Sequence, residues 1–210
     1  MRKLTGLVLL FAVAVSAANT IGVATPRIDA HPQPSYGYEF YWDDGYISSG
    51  WVWYTGGNYW AVQFDEEKTG GYVGTVNRVG AVTYAGWPDG TFQGAYLHIF
   101  SDSGGYPYED LYREYLNITE GDVYNWMTVF PYLWIESSVF YLAWEQFGNY
   151  PQTDCMAVDA AAGTHNWASD VDSWREWQQV DDYGDFMLRC YWDTWDIDNC
   201  SWGGIKALYQ

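Results

Sequence analysis

Short runs of alternating residues recur along the chain between clusters of Gly, Asp, Asn and Pro. In 59–65, Trp60, Val62 and Phe64 fall on one side of an extended chain, and Tyr59, Ala61, Gln63 and Asp65 on the other. In 95–100, Ala95, Leu97 and Ile99 oppose Tyr96, His98 and Phe100. A period of two is the mark of a strand with two unlike faces. The same reading predicts strands over 36–42, 51–54, 59–64, 72–84, 95–100, 111–116, 126–129, 140–147, 156–159, 174–180 and 185–192. Asp43-Asp44-Gly45, Gly56-Gly57-Asn58, Gly70-Gly71, Pro88-Asp89-Gly90, Ser103-Gly104-Gly105, Gly148-Asn149 and Tyr183-Gly184 supply the turns. After residue 18 no stretch carries a 3.6-residue apolar period, and 119–123 offers one helical turn at most. The fold expected is all-β: an antiparallel β-sandwich, jelly-roll-like. One face of each sheet is apolar and the other aromatic and polar, as in sheets covered on one side.

The ends have another character. Arg2 and Lys3 precede an apolar run from Leu4 to Val15, and Ser16-Ala17-Ala18 offers small residues for cleavage. This reads as a secretory signal, too short for a membrane span. Residues 1–18 are thus a signal peptide, 19–34 a Pro-punctuated linker, 35–200 one β-sandwich domain, and 201–210 a tail or extra strand. The expected location is secreted or at the cell surface, with no membrane insertion after signal removal.

Composition sharpens the picture. Aromatic residues make up 20% of the chain, with 14 Trp, and the formal net charge is −18. An acidic surface repels phosphate, so no nucleic-acid partner is expected, and anionic membranes are disfavoured. Rings pack in cores and also stack on ligands. Trp42, Trp51, Trp53, Tyr54, Tyr59 and Trp60 lie close together, with Asn58, Gln63, Asp43 and Asp44 beside them. That set reads as a sugar-stacking platform for a polysaccharide or cell-surface glycan. Strand parity nonetheless sends at least half of its rings to a core.

No HExxH, CxxC, GxSxG, phosphate-binding loop or dinucleotide fingerprint follows the linker. No organic cofactor is expected. Oxygen-rich loops keep a structural calcium ion open, and Asp193, Asp196 and Asp198 are the candidate ligands, although turn formation explains the same residues. Cys190 and Cys200 flank a short acidic turn and are the favoured disulfide, with Cys155 competing. Glu145 lies among aromatics in a strong strand, a setting that suits the acid or nucleophile of a jelly-roll glycoside hydrolase. Its second carboxylate would be Glu39, Glu136 or Asp185. The preferred reading of Glu145 is an ion pair with Arg189, which leaves catalytic residues unassigned. Three function classes therefore stand: a non-catalytic carbohydrate-binding or surface module, which is preferred, a hydrolase, and a self-associating extracellular subunit.

The stretch Phe140-Tyr-Leu-Ala-Trp-Glu-Gln-Phe-Gly-Asn-Tyr-Pro151 is followed by Asp154, Asp159, Trp174 and Tyr183-Gly-Asp-Phe-Met-Leu-Arg189. Upstream stand Trp42-Asp-Asp-Gly45 and Gly57-Asn-Tyr-Trp-Ala-Val-Gln-Phe64. Together these resemble a β-sandwich module of secreted proteins from environmental bacteria related to the Bacteroidetes group. The resemblance spans roughly residues 36–192. It implies a jelly-roll-like, extracellular, non-catalytic domain and transfers no catalytic residue.

Overall fold

The computed structural model describes residues 37–85, 92–160, 163–170, 176–180 and 184–194. The described strands are β1 (Tyr38–Phe40), β2 (Ser49–Trp51), β3 (Tyr59–Phe64), β4 (Gly74–Val82), β5 (Ala95–Asp102), β6 (Pro107–Leu116), β7 (Tyr124–Ile135), β8 (Phe140–Gln146), β9 (Met156–Val158), β10 (Asn166–Ser169), β11 (Gln178–Gln179) and β12 (Leu188–Thr194). They form a four-stranded sheet in the order β1-β12-β4-β7, a six-stranded sheet in the order β11-β10-β3-β8-β5-β6, and a small β2-β9 pair.

The pairings β1·β12, β2·β9, β3·β8, β4·β7 and β5·β6 are antiparallel and nested inside one another. The chain is thus one long antiparallel ribbon, closed at β5–β6 and rolled so that the pairs β1·β12, β3·β8, β4·β7 and β5·β6 fall alternately in the two larger sheets, with β2·β9 standing apart. The contacts β12·β4 and β8·β5 seal the roll. This is the jelly-roll arrangement of an antiparallel sandwich, with β10 and β11 added outside β3.

Alternation places the core as the sequence requires. Trp60, Val62, Phe64, Leu97, Ile99, Leu142 and Trp144 meet Val76, Val79, Leu188, Cys190 and Trp192 of the opposing sheet. The outward side of the six-stranded sheet is more enclosed than a simple one-sided sheet. Tyr59, Ala61, Phe100, Tyr141, Ala143 and Trp167 form a second, smaller apolar cluster there, with Trp177 packed on it. That face is therefore covered over much of its area.

The four-residue helix α1 (Glu66–Thr69) follows β3. Asp65 caps its start by accepting the Glu67 N–H at 2.9 Å, and Gly70 ends it in the left-handed region at φ 67°. The turn expected over 119–123 is not helical; Asn125 holds it by accepting the Thr119 N–H. Among the described residues no helix is long and apolar enough to cross a membrane.

Candidate functional site

Strand register lays the outer face of the six-stranded sheet out in rows. One row reads Ser169, Tyr59, Glu145, Tyr96, Tyr115 across β10, β3, β8, β5 and β6. The next reads Trp167, Ala61, Ala143, His98, Arg113. Paired residues of neighbouring strands point to the same side, and strands lie about 4.8 Å apart. A period of two on five strands thus brings together side chains that are remote in the chain.

His98 is buried at the centre of an ionic chain. Its Nδ1 lies 2.9 Å from Asp110 Oδ2 and its Nε2 lies 2.8 Å from Glu145 Oε2. A neutral imidazole donates from one nitrogen only, so two facing carboxylates favour the doubly protonated ring. Burial alone would lower the His98 pKa, but the bonds to Asp110 and Glu145 outweigh it and leave it above the ordinary value. Arg113 donates from Nε and Nη2 to the same Glu145 Oε2, at 3.3 and 3.1 Å. For Glu145, burial pushes upward, yet His98 and Arg113 win and hold the carboxyl below its usual range. All three of these bonds end on Oε2, which leaves Oε1 as an acceptor.

Rings gather at the open end of this face. Tyr96, Tyr115 and Phe147 sit 5.5–6.1 Å apart between centroids. Phe147 is 53% exposed and Tyr115 37%. The Arg113 guanidinium lies 3.8 Å from the Tyr96 ring. Tyr54 and Tyr150, both exposed, meet edge to face at 5.6 Å on the adjoining loops. Buried Gln146 shapes those loops by bonding the Trp53 N–H and the Trp53 and Gly148 carbonyls.

The platform expected from the sequence does not form as a unit. Trp53 stacks on core Trp60 at 4.4 Å, and Trp51 meets Trp60 edge-on. Both face inward because β2 and its following loop fold over the sandwich end. Trp42 lies flat against His165 at 3.6 Å, under the Lys68 ammonium at 3.9 Å. Tyr59 and Asn58 are buried. Of that set, Tyr54 alone has a widely exposed ring. Asp43 is 2% exposed and committed to a buried network, while Asp44 is exposed and bonds the Tyr46 N–H.

The expected Glu145–Arg189 pair is also corrected. Glu145 sits on the outer face of the six-stranded sheet and Arg189 on that of the four-stranded sheet, so the sandwich separates them. Arg189 donates to Asp43 and Glu39, and its guanidinium lies 4.4 Å from both the Tyr41 and Tyr124 rings. Tyr124 also donates to Asp43, at 2.8 Å. Glu39 is thereby removed as a catalytic partner for Glu145, and Asp185 lies with Asp159 instead.

Asp193 is tied to Asn77 at 2.6 Å, and its proposed co-ligands Asp196 and Asp198 lie outside the described residues. Among the described residues no group of three or more His, Cys, Asp or Glu is arranged to hold a metal ion. Cys190 is a buried free thiol, as is Cys155, and Cys200 lies outside the described residues. The residues sequence reasoning missed are His98, Asp110, Arg113, Tyr96 and Tyr115. The alternation over 95–100 already placed Tyr96 and His98 on one face, but no local signal joined them to Glu145.

No protein-family model, curated protein or solved structure matches the chain.

Proposed function

We propose that the protein is a secreted or cell-surface, non-catalytic module that binds carbohydrate through the outer face of its six-stranded sheet. The observation that carries this reading is the Tyr96–Tyr115–Phe147 group, with Tyr115 and Phe147 exposed and Tyr96 half-buried, standing beside a satisfied ionic chain. Rings of this kind take the apolar face of a sugar, and the Glu145 Oε1 and Arg113 accept from and donate to its hydroxyls. The resemblance to a secreted β-sandwich module points the same way, as do the signal-like start and the acidic composition.

Hydrolysis is less well supported. A glycosidase needs one carboxylic acid kept protonated. Glu145 is held ionised, Asp110 faces the same imidazole, and Asp102 on the same face accepts from the Tyr141 hydroxyl. Self-association rests on the edge strand β7, where Phe130 is 83% exposed beside exposed Tyr132 and Trp134. A formal charge of −18 opposes contact between copies.

The test is affinity electrophoresis and calorimetry against a panel of insoluble and soluble glycans. Wild type is expected to bind at least one, and Phe147→Ala with Tyr115→Ala to weaken it roughly tenfold or more, the loss of about 1.4 kcal/mol or more. Trp42→Ala should leave it unchanged. No binding to any polysaccharide would remove the ligand class.

A further inference from the structure

The row Trp167, Ala61, Ala143, His98 has two methyl groups at its middle and large side chains at both ends. The sheet surface is therefore hollow over β3 and β8. Among the described residues, Trp177 and Val139 cover the cluster containing Ala61 and Ala143. The Trp177 ring lies 5.6 Å from Tyr59 and 5.5 Å from Phe100. Trp177 precedes β11, a two-residue edge strand whose Gln178 and Gln179 are exposed. Val180 adds one backbone bond to Asn166, and Gln179 one side-chain bond to the Thr164 carbonyl.

Two donors on the outer side of β10 border this cluster. Trp167 Nε1 and Ser169 Oγ are buried, at 6% and 2% residue exposure, and neither has a hydrogen-bond partner. They stand two residues apart on β10, so both face outward from the sheet with Tyr59 and Ala61. A buried donor left without its bond is costly. Trp167 Nε1 shares this state with the indoles of Trp53, Trp60, Trp126 and Trp192, and Ser169 Oγ stands beside it on the outer side of β10. A ligand with a flat apolar face and hydroxyls at its rim would use both, with Tyr59 and Phe100 as its stacking surfaces.

We infer that the carbohydrate face continues beneath Trp177, which is a displaceable plug over a second sugar subsite floored by Ala61 and Ala143. This rests on the carbohydrate reading and deepens it: the ligand is an oligosaccharide crossing the strands, from the Tyr115–Tyr96 end through Glu145 toward Ser169. Shorter sugars occupy only the open end.

The experiment compares di- and hexasaccharides of cellulose, laminarin and xylan by calorimetry on wild type and Trp177→Ala. The variant is expected to bind a hexasaccharide at least fivefold more tightly than wild type, with disaccharide affinity unchanged. Adding Ser169→Ala should cancel the gain. A second readout needs no variant: hydrogen exchange at 178–180 in wild type should quicken when the hexasaccharide binds. Equal or weaker binding by Trp177→Ala, or slower exchange at 178–180, overturns the plug. If Phe147→Ala still weakens binding in that case, the open platform survives alone. Absence of binding by both proteins to all of these sugars overturns the subsite, and the wider glycan panel then decides the platform.

Discussion

Asp185 is a buried acid that responds to pH. The residue is 6% exposed, its Oδ1 has no hydrogen-bond partner, and its backbone N–H donates to Asp159 Oδ1. Burial first, then the charges of Asp159, Asp43 and Asp44, push its pKa up to about 7, with Lys68 opposing. An acid raised in the fold above its unfolded value stabilises the fold while it carries its proton. That contribution is complete below the unfolded value of about 3.9 and is lost as pH rises through about 7. Asp185→Asn is therefore expected to be more stable than wild type at pH 8, by roughly 2–4 kcal/mol. The difference should vanish near pH 4 in urea titrations. Equal midpoints at both pH values would exclude a neutral Asp185. Glu145 illustrates the opposite case at the same scale. Its aromatic neighbourhood was visible in sequence and pointed to a raised pKa, but a histidine 47 positions away and an arginine 32 away reverse the shift.

At the level of elements, β3, β5 and β8 were legible because each carries a long alternating run with β-branched or aromatic residues. β10 was not. Asn166-Trp-Ala-Ser169 is four residues without a β-branched side chain, and it becomes a strand by pairing with β3. Helix α1 had a readable signal of another kind: Asp65 before Glu66-Glu67, then Lys68 and Gly70, a cap, an acidic first turn and a glycine stop. An apolar period could not reveal a helix of one turn. On β4, Gly80 shows why an element needs a particular residue. A Cβ there would come within 2.5 Å of the Trp126 ring, which lies over the strand and stacks with Arg78. Gly80→Ala is expected to lose about 1–3 kcal/mol by chemical denaturation. A neutral effect would mean that Trp126 shifts freely.

For the whole molecule, Arg189 joins the two ends of the ribbon. From β12 it binds Glu39 on β1 and Asp43 in the following loop, and it stacks beside Tyr124 at the start of β7. Burial works against its charge, but Asp43 and the groups around it hold its pKa well above the ordinary value. Arg189→Met would leave Asp43 buried without its cation, a loss of about 3–5 kcal/mol. Calorimetric unfolding should record it as one cooperative, lower-temperature transition. A change of less than about 1 kcal/mol would show the clasp to be dispensable.

Covalent geometry explains the division between what could be read along the chain and what could not. Successive side chains of a strand point to opposite sides, so the faces shared by Trp60, Val62 and Phe64, or by Tyr96, His98 and Phe100, are local properties. So is the predominance of strands. Coverage of a face and the choice of an ionic partner are not local. Asp43 and Arg189 lie 146 positions apart and meet because the ribbon closes on itself. Trp51 and Trp53 turn inward because a loop folds over Trp60. The outer aromatic face, which the sequence left either as a ligand surface or as a more enclosed core, is partly closed by Trp177 because β10 and β11 add themselves to its edge.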